Sequence, residues 1–275
     1  NSGLGPLCTT RVSPAHLTTL LHYILKSHSV GVGDLIPEAV SRLMLVLKLQ
    51  ALAQGHSGVR LATLDRILWQ LDAGVIPCVP SQGSVGASGD LAPLSHLFLP
   101  LIGEGEVWDN GQRRPSGEVL QRHGVAPLQL APKEGLALIN GTQFMAAHAV
   151  HIVERLHNCL SQADIIAAMM IEGLKGSASP FMAELHRLRP HAGSQHVAHR
   201  MAHLFADSDI MASHHDCGRV QDPYSLRCIP QVHGASRQAW LHLKDTLEVE
   251  LNAVTDNPIL IHKGLTVSGG HFHGQ

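Results

Sequence analysis

Residues 133–175 constrain this chain most. They hold no proline, and their apolar side chains recur at helical spacing. Such a stretch predicts a long buried helix, or two helices with a break near Ser161. A chain organised around it falls in the mainly helical class. Hydrophobic residues make up 44% of the 275 positions and charged residues 15%, which excludes a disordered chain. Apolar helices with so few charges predict that much surface is covered between subunits.

Shorter helices are expected around this stretch. Ser13-Pro14 reads as an N-cap followed by proline, with Leu17, Leu20, Leu21, Ile24 and Leu25 on one face behind it. A second helix starts near Pro37 and carries Val40, Leu43, Met44 and Leu47. A third covers 57–71 and stops at Gly74, and Asp90 opens a fourth over 91–102. Further helices are read at 180–188, 195–205 and 236–254. Two hairpins are expected, one turning on Asn110-Gly111 and one around Lys263-Gly264. The loop from Pro127 to Pro132 suggests a division near residue 130, with parts 1–130 and 131–275.

Several function classes are disfavoured. Net charge is −2 with histidine neutral, so no electrostatic case for nucleic acid exists. The 21 histidines would turn that charge positive in mild acid. No apolar run of about 18 residues could span a membrane, and no signal peptide is visible. Cys8, Cys78, Cys159, Cys217 and Cys228 form no CxxC pair, which reads as reduced thiols in a cytoplasmic protein. His214-His215 and His271/His273 do not assemble a four-ligand zinc set, so no metal is expected.

The segment Gly83-Ser84-Val85-Gly86-Ala87-Ser88-Gly89-Asp90-Leu91-Ala92-Pro93-Leu94 carries the chemistry. Gly89 lacks a Cβ, so its amide nitrogen can reach the Ala87 carbonyl carbon and close a five-membered ring. Loss of the Ala87 oxygen and the Ser88 hydroxyl as two waters leaves an exocyclic methylidene. The product is a 4-methylidene-imidazol-5-one (MIO), an electrophile that no side chain offers and that otherwise requires an external cofactor. A bare Ala-Ser-Gly is far more often a glycine-rich turn, here with Asp90 capping the next helix, and only the twelve-residue context changes that balance.

Four other places hold polar groups of interest. Gln221, Tyr224 and Arg227 are spaced by three, and a guanidinium fork suits a carboxylate. The same residues also fit an inter-helix loop with a structural salt bridge. Asn140, in Leu138-Ile139-Asn140-Gly141-Thr142-Gln143, is either an interior helix break or a site residue. His28, in Ser27-His28-Ser29-Val30, is either a surface residue at a helix end or a side-chain reader. Phe272 sits in Gly269-Gly270-His271-Phe272-His273-Gly274.

Together these motifs resemble, in order, those of the aromatic amino acid lyases, the family of MIO-bearing ammonia-lyases. The twelve-residue segment around Ser88 matches almost letter for letter. The resemblance implies a mainly α, long-helix bundle of the aspartase/fumarase-like type, with an MIO-bearing N-terminal part and short β-hairpins. It implies an MIO matured from Ala87-Ser88-Gly89, with no external cofactor. It places Asn140 and Tyr224 beside the ring, Arg227 on the substrate carboxylate, and Gln221 and Phe272 in the site wall. His28 preceded by serine resembles the histidine-specific branch, which implies L-histidine as substrate and trans-urocanate and ammonia as products. Apolar pairs, or histidine followed by leucine, mark the phenylalanine- and tyrosine-specific members. A homotetramer is implied as well. His271 departs from the asparagine common in the family's Gly-Asn-Phe-His-Gly stretch. Asn1-Ser2-Gly3-Leu4-Gly5 looks like the end of the family's Tyr-Gly-x-Asn-Thr-Gly-Phe-Gly loop, with serine and leucine as departures. The chain thus reads as an internal fragment. The family's catalytic tyrosine falls before Asn1 and a substrate-holding glutamate beyond Gln275, so the piece alone is expected to be inactive.

Overall fold

The computed structural model describes residues 14–215 and 218–274, with side chains from residue 19 onward. The Asn1–Gly5 loop, Cys8, Ser13, Cys217 and Gln275 lie outside the described residues, and so does the side chain of Leu17. The chain divides into two compact units: Asn1–Ala149 with Glu248–Gln275, and Val150–Leu247.

In the first unit, α1 (Pro14–His28) places Leu21, Ile24 and Leu25 in the core, as its spacing predicts. Strand β1 (Val32–Leu35) leads to α2 (Glu38–Ala53), whose buried face runs through Val40, Ser41, Met44, Leu45, Lys48, Ala51 and Leu52. Helix α3 (Leu61–Asp72) begins four residues later than the sequence suggests, because Gly58 adopts a left-handed φ of 66° that no helix accepts. Strands β2 (Ile76–Pro77) and β3 (Pro80–Gln82) follow, then α4 (Leu91–Phe98), which tightens into a 3₁₀ turn at Leu99–Ile102.

The expected Asn110-Gly111 hairpin is present as β4 (Glu106–Asp109) and β5 (Gln112–Pro115). Both turn residues have positive φ, as a tight hairpin of this hand requires. β2 joins β4 as a third strand, an association that the sequence did not announce. After α5 (Ser116–Arg122) and α6 (Glu134–Ile139), the chain breaks at residues 140–142 and enters α7 (Gln143–Gly173). The long apolar stretch is therefore broken near its start, and α7 runs through Ser161 without interruption. Hairpin β6 (Ile259–His262) and β7 (Leu265–Val267) closes the first unit around Lys263-Gly264.

The second unit contains most of α7, a 3₁₀ turn at Ser179–Phe181, α8 (Ala183–Arg187), α9 (Ala192–Phe205), α10 (Asp209–Ser213), α11 (Tyr224–Arg227) and most of α12 (Ile229–Glu250). Its core gathers Ala168, Ile171, Phe181, Val197, Met201, Phe205, Leu226 and Ile229. Asp164, fully buried on α7, receives Arg200, Arg237 and His233. The expected burial of α7 is only partial within one chain. Ile152, Ile165, Ile166, Met169 and Met170 remain exposed. Among the described residues no helix is long and apolar enough to cross a membrane, and Cys78, Cys159 and Cys228 form no disulfide.

The expected division near residue 130 does not coincide with the observed units. Glu134, just beyond it, is buried and ties this region to α3. Its carboxylate accepts hydrogen bonds from the Arg60 amide (2.9 Å), Arg60 Nη2 (2.8 Å), Thr63 Oγ1 (2.8 Å) and the Ala131 amide (2.6 Å). Burial alone would raise its pKa, but these donors together hold it below the usual carboxylate value. A carboxylate with a depressed folded pKa contributes stability above its unfolded pKa and loses it as pH falls through the folded one. Glu134→Gln is expected to cost about 2–4 kcal/mol near neutral pH by leaving buried donors unpaired. Denaturant titrations should show that difference shrinking toward pH 3.

Candidate active site

The segment predicted to cyclise emerges from β3 and bends sharply. Gly86, Ser88 and Gly89 have φ of 70°, 60° and 81°. A left-handed serine is uncommon and persists where its surroundings hold it. Ala87 is exposed, Ser88 half-buried and Gly89 buried. Gly89 forms a parallel bridge with Gly141, and the Asp90 amide donates to the Gly141 carbonyl at 2.8 Å. A Cβ on Gly89 would collide with that carbonyl oxygen. The three residues therefore fit the MIO: they occupy one tight turn, left-handed at Ser88 and Gly89, and the cradle admits no side chain at Gly89.

Asp90 does more than the sequence suggests. It stands before α4 but makes no side-chain cap bond to that helix. Its Oδ2 instead accepts the Phe144 and Met145 amides, each at 3.0 Å, in the first turn of α7. Its Oδ1 accepts Ser84 Oγ at 2.7 Å. One carboxylate thus fastens the bend to the start of the longest helix, where amide donors and helix dipole favour negative charge. Burial pushes Asp90 upward and outweighs the lowering by Ser84 and the two amides.

The other wall is the break between α6 and α7. Asn140 is buried, with φ −79° and ψ 138°, and its amide and Nδ2 donate to Leu136 O at 3.0 and 3.3 Å. Thr142 Oγ1 donates to Glu250, and Gln143 Nε2 donates to Thr255 Oγ1 at 2.7 Å. Asn140 is the helix break itself, and the break is where the Gly89 backbone lands. Behind it, fully buried Lys48 on α2 donates from Nζ to the Asn140 carbonyl. Burial, with a smaller contribution from Lys133, lowers the Lys48 pKa to about 7, while Asp256 and Asp90 oppose the shift. The sequence held one signal for this residue: Lys48 sits four positions from both Met44 and Leu52, on the apolar face of α2.

His28 ends α1. Its Nδ1 lies 2.8 Å from the Ile24 carbonyl, which can only accept, so a proton on Nδ1 donates there; Ser27 Oγ lies 3.1 Å from the same nitrogen. An unforeseen two-stranded ribbon connects it to the bend. β1 pairs antiparallel with β3, with Val32 opposite Gln82, so the chain leaving His28 runs beside the chain entering Gly83. His96 on α4 secures this loop by accepting the Gly31 amide at 3.0 Å. Phe272 is half-buried in a turn closed by the His273 amide on Gly270 O at 2.9 Å.

Gln221, Tyr224 and Arg227 belong to the second unit. Gln221 and Tyr224 are exposed, and Tyr224 and Arg227 bound the single turn of α11. Arg227 Nε donates to Asp222 O at 2.8 Å, and its guanidinium lies 5.8 Å from the Tyr224 ring centroid. The expected loop salt bridge belongs to Arg219, whose Nη1 reaches Asp222 Oδ1 at 2.9 Å. A hydrogen bond with the Cys228 thiol raises the Tyr224 pKa above its ordinary value. A cavity of about 670 Å³ takes in Gln221, Asp222 and Arg227 with Ser177, Met182 and His214. Among the described residues no group of three histidine, cysteine or carboxylate side chains could hold a metal.

A sequence model described as aromatic amino acid lyase matches residues 1–275. The chain belongs to that family. It is 46% identical over 276 residues to the histidine ammonia-lyase of Myxococcus xanthus (strain DK1622), covering 100% of this chain and 54% of that protein. It is 48% identical over 281 residues to the histidine ammonia-lyase of Sorangium cellulosum (strain So ce56), covering 100% and 55%. The chain spans about half the length of these curated relatives. In fold it is similar to the tyrosine aminomutase from Streptomyces globisporus (TM-score 0.90, 38% identity, 99% of this chain and 55% of that one). It is also similar to the histidine ammonia-lyase from Trypanosoma cruzi (TM-score 0.85, 41% identity, 96% and 50%).

The buried lysine has a measurable signature. Its folded pKa lies below its unfolded value, so the unfolded chain binds more protons between about pH 7 and the ordinary lysine pKa near 10.4, and stability contributed at this position rises with pH there. Lys48→Met removes that dependence. The Tm of Lys48→Met relative to wild type should therefore be higher at pH 6 than at pH 9, by several degrees. Parallel melting curves across that range check the sign.

Proposed function

We propose that the full-length protein is a carbon–nitrogen lyase that eliminates ammonia non-oxidatively from L-histidine to give trans-urocanate, as the first step of histidine breakdown. The observation that carries this reading is the Ala87-Ser88-Gly89 turn, left-handed at Ser88 and Gly89 and seated on Gly141, within a chain nearly half identical to histidine ammonia-lyases. An MIO formed there supplies an electrophile for the substrate amine, which makes nitrogen a better leaving group.

The remaining steps fall to ordinary side chains. Arg227 holds the substrate carboxylate through its planar fork, with its plane fixed by the bond to Asp222 O. His28 offers Nε2 to the imidazole N–H, with its Nδ1 proton donated to Ile24 O. Asn140 and Tyr224 orient the reacting end, and Gln221 and Phe272 complete the wall. Each active site is proposed to draw on more than one chain of the assembly, and holding both ends of the substrate there places its β-carbon before the base. Likeness to a tyrosine aminomutase supports a second reading, an aminomutase or lyase acting on tyrosine or phenylalanine. Ser29-Val30 after His28 favours histidine.

The assembly is proposed to be a cytoplasmic homotetramer. Exposed Ile152, Ile166, Met169 and Val232 in the second unit support cover by other copies. Light scattering on the full-length protein should give four chains, and an active monomer would refute this.

Two sets of variants test the reading. Ser88→Ala in the full-length protein should abolish turnover and also the loss of two waters, about 36 Da for a backbone-derived electrophile. His28→Leu should cost far more kcat/KM on L-histidine than on L-phenylalanine, since a site built to hydrogen-bond a polar group discriminates strongly. Arg227→Lys should lower it on every amino acid. Equal losses on both substrates in His28→Leu would reopen the choice of substrate.

A further inference from the structure

The break that receives the bend is built from the Asn140 and Gly141 peptides, and Lys48 holds it from behind. Lys48 lies on the apolar face of α2, fully buried, and its Nζ donates to the Asn140 carbonyl. A leucine or methionine would fill this position at lower cost, because burying an ammonium group carries a heavy desolvation penalty. The next carbonyl along, that of Gly141, accepts the Asp90 amide at 2.8 Å. That amide lies one peptide beyond the Gly89 nitrogen, so the bond restrains the bend without using the Gly89 N–H. Asp256, Lys133 and Asp90 are the charged groups that act on Lys48. Lys133 Nζ is itself paired to Asp256 Oδ2 at 2.8 Å.

We propose that Lys48 is a positioning residue for MIO formation: by pinning the Asn140 carbonyl, it fixes the Asn140-Gly141 wall against which Ala87-Ser88-Gly89 cyclises. The proposal rests on the MIO reading above. In that reaction the Gly89 nitrogen bonds to the Ala87 carbonyl carbon. The Ala87 oxygen leaves as water with the amide hydrogens of Gly89 and Ser88. The Ser88 hydroxyl leaves as a second water with the Ser88 α-hydrogen. No oxidant is needed, so the demand on the protein is geometric. A loose wall lets the bend relax out of its left-handed backbone at Ser88 and Gly89, and small misplacements of reacting atoms cost large factors in rate.

The test follows intact mass over time in the folded, soluble fraction of the full-length protein after synthesis is stopped, with Tm measured alongside. Lys48→Met should fold with a Tm near or above that of wild type at neutral pH, yet lose its two waters at least about tenfold more slowly. Lys48→Arg, which keeps a donor, should recover part of the rate. Folded Lys48→Met that matures at the wild-type rate overturns the proposal and leaves Lys48 a packing residue. Should the methionine variant fail to accumulate, Lys48→Gln carries the same readout, with the same two outcomes. Wild-type protein that never loses the two waters refutes the MIO reading itself, a result distinct from an unaffected variant.

Discussion

Everything proposed for this chain depends on one close backbone contact: Gly89 and Asp90 packed onto the carbonyl of Gly141. It requires two segments to meet with no side chain between them. It also requires Ser88 to stay in a backbone region that L-residues avoid. Such a conformation costs of the order of 1–3 kcal/mol and must be over-determined by its surroundings. Asp90 supplies much of that restraint. Three hydrogen bonds to one carboxylate join the bend to the start of α7.

The surroundings use buried charge where hydrophobic packing alone would be cheaper. Asp90, Lys48 and Glu134 are all withdrawn from water in the first unit. Buried ion pairs are weak evidence for stability, because desolvation offsets most of the attraction. Their value here is directional. Glu134 collects donors from α3 and the loop before α6, Lys48 grips the end of α6, and Asp90 grips the start of α7. The break at residues 140–142 is thereby held on both sides. Hydrogen bonds fix orientation in a way that methylene contacts do not, and a reaction between backbone atoms is sensitive to orientation.

Much of this was legible in the sequence. Local patterns predicted α1, α2 and both hairpins, because their signals lie within a few residues: alternating apolar faces, Pro14, Asn110-Gly111, Lys263-Gly264. The bend was legible because its chemistry demands particular residue types at consecutive positions. Pairings at long range were not. Nothing near Val32 announces that it lies opposite Gln82, and nothing near Asp90 says that its carboxylate reaches Phe144 rather than Leu91. The sequence offered two places for a helix break, Ser161 and Asn140, and did not choose between them, because the backbone demand at Gly141, with φ of 140°, comes from the distant Gly89 that packs on it. Lys48 was passed over because a lysine in a helix is ordinarily solvated. Glu134 lies just past the expected division near residue 130, and its partners Arg60 and Thr63 lie some seventy residues away.

The central claim is that Ala87, Ser88 and Gly89 become an electrophile in place. Proteolysis of the native full-length protein, followed by fragment-ion mass analysis of the peptide containing residues 83–94, tests it most directly. The account predicts that this peptide is lighter than its sequence by two waters, about 36 Da in a backbone-derived group. It also predicts that the deficit maps within Ala87-Ser88-Gly89. An unmodified peptide from protein that turns over L-histidine would contradict it.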